Sequence, residues 1–112
     1  MEKAFAFICA QDDVPMRRLR QYCRRVYSLG YVPVCPKLNL SQFLDYDIAE
    51  ERRDAAQMSQ LWLRRCRMVV VCGSEIRGTM LTEISTAERL KLICTTLEGL
   101  EKISGTDDNR SS

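Results

Sequence analysis

The sequence predicts an α/β domain of three layers, Rossmann-like and flavodoxin-like in plan, with a small parallel sheet of about four strands in the order 2-1-3-4. Three observations carry this. Short apolar runs of strand length alternate with segments whose apolar residues recur at helical spacing. Two runs, Ala4 to Ala10 and Met68 to Cys72, are apolar almost throughout, as central parallel strands covered on both faces must be. At 112 residues the chain makes one domain, long enough to bury roughly two-thirds of its unfolded surface without a metal or disulfide. The resulting β-α-β-α-β-α-β order implies right-handed crossovers, with helices on both faces of the sheet.

The first strand is Ala4 to Ala10, broken by Gln11-Asp12-Asp13. Asp13 is placed to cap the first helix, with Pro15 in its first turn, where a missing N–H does no harm. From Pro15 to Leu29 the stripe Leu19, Tyr22, Cys23 and Val26 faces inward, and Gly30 stops the helix. Tyr31 to Pro36 is a second strand, and Pro33 sends it to the sheet edge. Lys37 to Ile48 is a connection with a helical turn from Leu40 to Leu44. Ala49 to Arg65 is the second long helix, with Ala55, Met58, Leu61, Trp62 and Arg65 on one stripe. Met68 to Cys72 is the third strand, and Gly73 to Gly78 the loop after it. The third long helix runs from about Thr79 to Leu90, with Met80, Ile84 and Ala87 inward. Leu92 to Thr96 is the last strand. The domain is expected to occupy residues 1–100, followed by a flexible polar tail over 101–112.

The hydrophobic share, 46%, excludes wholesale disorder, and a net charge of +2 does not support a nucleic-acid partner. Arginines crowd two segments, Arg17 to Arg25 and Arg52 to Arg67, and read as solvated helix faces. The six cysteines form no CxxC pair and the chain has no histidine, so no metal site is expected. Cys9, Cys35, Cys72 and Cys94 lie in or at the ends of apolar runs and read as buried free thiols of a reducing compartment, with Cys72 the best placed for reactivity. No segment has the length of a membrane span or the pattern of a secretory leader, so a cytoplasmic location is expected.

Parallel sheets of this order bind ligands beyond the carboxyl ends of their strands. That points to the loops at Cys9 to Asp13, Cys35 to Asp47, Gly73 to Gly78 and Thr95 onward. The third loop leads into a helix start, where free N–H groups and the helix dipole receive anions. Glu83, one turn into that helix, is the sharpest candidate. A carboxylate there, its charge favoured by the helix start, suits attack on an anomeric carbon, with a partner among Asp12, Asp13, Asp45, Asp47 and Glu75. Lack of histidine excludes Ser-His-Asp and Cys-His catalysis. Lack of glycine in Ala10-Gln11-Asp12-Asp13 argues against a dinucleotide, and no cofactor is expected.

Several segments together resemble the nucleoside 2-deoxyribosyltransferase-like superfamily, within it a small branch of bacteria and their phages. They are Tyr22-Cys23-Arg24-Arg25-Val26 with Gly30 to Pro36, Gln42-Phe43-Leu44-Asp45 through Glu50-Glu51-Arg52, and Val71-Cys72-Gly73 through Met80-Leu81-Thr82-Glu83-Ile84 with Ala87-Glu88. The resemblance covers about residues 4–96. It implies a nucleoside or nucleotide ligand, N-glycosidase or deoxyribosyltransferase chemistry with Glu83 as nucleophile, and a homo-oligomer. Glu83 stands four residues after Thr79, where the enzymes have three, and Thr82 occupies their spacing. The binding residues expected from position are Cys9, Ala10, Gln11, Arg17, Asp45, Gly73, Ser74, Gly78 and Thr79. Two other uses remain open: a non-catalytic module that senses or sequesters a nucleotide-derived molecule, and an interaction protein acting through its arginine-rich faces.

Overall fold

The computed structural model describes residues 3–103. The order is β1 (Phe5–Cys9), α1 (Met16–Ser28), β2 (Val32–Val34), α2 (Pro36–Leu40), α3 (Ala49–Leu63), β3 (Met68–Val71), α4 (Thr79–Arg89) and β4 (Ile93–Thr96). A fifth helix, α5, occupies 97–103. The sheet has four strands in the order β2-β1-β3-β4, all parallel. In register, Ala6 lies opposite Met68 and Cys9 opposite Val71.

Two apolar clusters sandwich the sheet. Ala6, Ile8, Met68, Val70 and Cys72 point to one face and pack with Leu19, Tyr22 and Val26 of α1 and Leu97 and Leu100 of α5. Phe7, Cys9, Val69 and Val71 point to the other and pack with Leu63 of α3 and Met80 and Ala87 of α4. Side-chain alternation along a strand therefore explains why two neighbouring runs are apolar at every position: odd and even residues face different cores. The strand order and three-layer plan expected from the sequence are those observed.

The differences are local. Pro15 precedes α1 as its extended N-cap residue, and Asp13 does not cap; its Oδ2 accepts from Arg77 at 3.2 Å instead. The connection after β2 forms α2 at Pro36–Leu40, earlier than the turn expected at Leu40 to Leu44, because Pro36 is preset for a first helical turn. On α3 the expected stripe is rotated. Ala55 and Leu63 are buried, but Met58 and Leu61 are 38% and 54% exposed. Trp62 lines a surface groove rather than the core. Small and polar residues of α3 face inward because that face borders a cavity, described below. β4 is an edge strand with Ile93 and Cys94 exposed, so Cys94 is not a buried thiol.

α5 runs across the boundary at residue 100 beyond which a flexible tail was expected. Leu97 and Leu100 drive it onto the sheet, and Glu101 receives a two-pronged pair from Arg25 of α1, at 2.7 Å from Nε and 2.5 Å from Nη2. Residues 101–103 are helical, and the rest of the expected tail, 104–112, lies outside the described residues. The arginines at 17, 18, 20, 24, 52, 53, 64, 65 and 67 are exposed, in keeping with solvated helix faces. No helix among the described residues is long and apolar enough to cross a membrane.

The helix is held by burial more than by charge. Leu97→Ala is expected to lower the unfolding free energy by about 3 kcal/mol in urea titrations. Glu101→Ala, whose ion pair is partly solvated, is expected to cost less than about 1 kcal/mol. Equal losses would assign the docking to the ion pair instead.

Candidate functional site

The central strand β1 ends at Cys9, and the chain beyond it must leave the sheet. That exit opens a cavity of about 520 Å³. Its floor is the end of β1, at Phe7, Ile8 and Ala10. The β2–α2 turn supplies one wall through Cys35, Pro36 and Lys37. Opposite, α3 supplies Ala55, Ala56, Ser59 and Gln60, and α4 supplies Thr79, Thr82 and Glu83. Gln11, Asp12, Tyr46 and Arg52 complete the rim. The short side chains of α3 keep the space open where leucines would have filled it.

Asp12 organises the rim. The Thr79 hydroxyl donates to its Oδ1 at 2.6 Å, and the Lys37 ammonium donates to its backbone carbonyl. A Cβ at Gly78 would lie 3.1 Å from Asp12 Oδ2, and Gly78 sits at φ 62, so glycine is needed there for both reasons. Beside it, Arg77 donates to Gln11 Oε1 and Asp13 Oδ2, each at 3.2 Å, and Gln11 Nε2 donates to the Glu75 carbonyl at 3.4 Å. The loops after β1 and β3 are thus stitched across the cavity mouth.

Glu83 points inward from the second turn of α4. Its Oε1 is buried and has no hydrogen-bond partner among the described residues. Burial pushes the carboxyl up to about 7, the neighbouring Cys9 thiol pulls it partly back, and the charges of Asp12 and Cys35 add to the rise. The expectation that the helix start favours its charge is therefore corrected: desolvation outweighs the dipole at this depth. A carboxyl poised near neutrality is suited to act as a nucleophile when ionised or as an acid when protonated.

The structure gathers Ala10, Gln11, Thr79 and Glu83 around the cavity, with Cys9 directly behind Glu83 and donating its thiol to the Met80 carbonyl at 3.9 Å. Gly78 holds the rim without lining it. Asp45 lines a shallower neighbouring pocket, which shares Lys37 and Tyr46 with the main one. Arg17, Gly73 and Ser74 are exposed and line neither. A Cβ at Gly73 would point toward α1 and meet the Tyr22 hydroxyl at 3.8 Å. Thr82 also lines the cavity, but it is exposed and Glu83 reaches deeper.

Lys37 and Tyr46 lie in the expected Cys35 to Asp47 loop but were not singled out, and Arg52, Ser59 and Gln60 of α3 were not anticipated as lining residues. The available signal was the run of small and polar residues, Ala55, Ala56, Ser59 and Gln60, on one side of an otherwise long-chained helix. Cys72, taken as the best-placed reactive thiol, is buried and its thiol is pushed up to about 12. The lowered thiol is Cys35: the neighbouring Cys23 thiol pulls it down most, burial pushes it up, and the backbone N–H groups of Leu38 and Lys37 and the Lys37 charge add to the fall. No cluster of three or more metal-ligating side chains exists among the described residues.

Fold and site together define a doubly wound α/β domain with a cavity at the carboxyl edge of its sheet. The model of a domain of unknown function, DUF7768, matches residues 7–96, from β1 through β4, and the chain belongs to that family. No curated protein matches it.

The cost of ionising Glu83 gives a stability signature. Below pH 4.5 the carboxyl is protonated in both folded and unfolded chains. Between 4.5 and about 7 the folded chain keeps a proton the unfolded chain releases, so stability falls as pH rises. The shift corresponds to about 3 kcal/mol once pH exceeds 7. Denaturant titrations of Glu83→Gln are expected to show its stability gaining on the natural chain by about that amount between pH 4.5 and 8. A difference that stays constant with pH would show that Glu83 ionises without penalty.

Proposed function

We propose that this domain binds a nucleoside or nucleotide in the carboxyl-edge cavity and breaks its N-glycosidic bond, by hydrolysis or by transfer to another base, with Glu83 as nucleophile. The observation that carries the reading is that Glu83 lines a cavity of about 520 Å³ while its carboxyl keeps a buried Oε1 with no hydrogen-bond partner among the described residues. An unpartnered buried oxygen costs about 1–3 kcal/mol, and such a group is retained where a ligand or a reaction completes it. The volume suits a small organic ligand. The position, beyond the end of β1 where the strand order reverses, is where open parallel sheets place ligands.

Chemically, the ionised carboxylate attacks the anomeric carbon as the base leaves with the bonding pair. The sugar ester that results is released by water or by a second base. Asp12 supplies the second carboxylate, held in place by Thr79. Lys37 and Arg52 at the rim give positive charge to a phosphate or to polar sugar oxygens.

Chromatography of incubations with deoxynucleosides and their monophosphates tests the reading. Free base is expected, kcat/KM should rise with pH through about 7, and Glu83→Gln should lower it by about a thousandfold or more. No release from any substrate, or equal release by Glu83→Gln, overturns the catalytic role. Calorimetric binding without turnover would leave a nucleotide-sensing module as the reading.

A further inference from the structure

Two cysteines far apart in helix and loop share one surface groove. Cys23 comes from the middle of α1 and Cys35 from the turn between β2 and α2. Both line a groove of about 570 Å³ whose other walls include Val34, Leu38 and Trp62. Both are half-buried, at the margin of the same apolar cluster. Cys35 also lines the main cavity, so this residue borders both spaces.

We propose that Cys35 and Cys23 form a dithiol oxidation site, in which a peroxide oxidises Cys35 and Cys23 then closes an intramolecular disulfide. The inference is independent of the nucleoside reading. Its chemistry starts from the donors around one sulfur. The Cys23 thiol across the shared groove, the backbone N–H groups of Lys37 and Leu38 and the Lys37 ammonium all act on Cys35. These contacts lower the Cys35 thiol, while Cys23, as the donor, is raised. The thiolate is the reactive form, so attack begins at Cys35. The Cys35 sulfur forms a bond to one peroxide oxygen as the O–O bond breaks, and the departing hydroxide takes a proton to become water. The Cys23 sulfur then attacks the sulfenic acid. An S–S bond forms, the S–O bond breaks, and the oxygen leaves with the Cys23 proton as a second water. Two electrons pass from the thiols to the peroxide.

Cys94 is an internal control. It is the exposed cysteine among those described, and its thiol is raised by partial burial and by Glu88. If exposure governed reactivity, Cys94 would react first. The test uses the full chain, reduced, then treated with hydrogen peroxide at pH 7 and mapped by peptide mass spectrometry. A Cys23–Cys35 crosslink is expected before any Cys94 product. Brief iodoacetamide labelling is expected to modify Cys35 at least about tenfold faster than Cys94. In Cys23→Ser the reaction should stop at a Cys35 sulfenic acid that dimedone traps. Faster reaction at Cys94 overturns the proposal. So does oxidation of Cys35 in the natural chain that never yields the Cys23 crosslink.

Discussion

The pairing of β1 with β3, buried on both faces, is the constraint on which the rest of the molecule depends. Ala6 to Cys9 and Met68 to Val71 run in parallel register, and every one of these side chains is buried. Parallel neighbours need a crossover, and a sheet covered on both sides needs helices on both sides. Those requirements place α1 and α5 on one face and α3 and α4 on the other. They also leave the backbone little freedom until the strands end. The main cavity opens at the end of β1, where the ladder closes with the Cys72 N–H donating to the Cys9 carbonyl at 2.8 Å.

The site therefore inherits its rigidity from the sheet and its shape from the loops. Asp12 links three segments: its own loop, Lys37 at the start of α2, and Thr79 at the start of α4. Arg77 adds a second bridge between the loops after β1 and β3. This network stabilises a rim around a carboxyl that would otherwise gain from reaching water. The penalty carried by Glu83 is local, while the burial that offsets it is spread over both cores. A fold of this kind tolerates one destabilised group at its edge because its centre is wholly apolar.

The sheet was legible in the sequence because continuous apolar runs report burial on two faces directly. Strand order, parallel pairing and the inward stripe of α1 follow from that signal and from chain connectivity. α3 was misread for a physical reason. Apolar periodicity marks the face that fills a core, but Ala55, Ala56, Ser59 and Gln60 border empty space. The residues that make a cavity are those that fail to fill it, and Met58 and Leu61 remain outside. α5 escaped notice because it offers only Leu97 and Leu100 before the sequence turns polar. Glu83 was legible from its place after β3, yet its ionisation was not. Helix position argues for a charged carboxylate, and only depth shows that desolvation prevails. Gly73 and Ser74 were inferred from loop membership, and Arg17 from its place at the start of the first helix; position at the sheet edge does not fix the side to which a residue turns.

The two perturbed groups of the cavity define its electrostatics. Glu83 on the α4 side is pushed toward its neutral form, while Cys35 on the α2 side is drawn toward its anion. The difference lies in what each wall offers. Around Cys35 stand backbone N–H groups, a thiol donor and the Lys37 ammonium. Around Glu83 burial prevails over the opposing pull of the Cys9 thiol, and Oε1 has no partner among the described residues. Their charges also oppose each other, since an anionic Cys35 raises Glu83 further. Binding a negative charge beside Lys37 would act on Glu83 in the same sense, whereas a disulfide at Cys35 removes that negative neighbour and lets Glu83 ionise at lower pH. The state of the thiol pair and the protonation of the carboxyl are thus linked through one shared space, even though each rests on its own set of contacts.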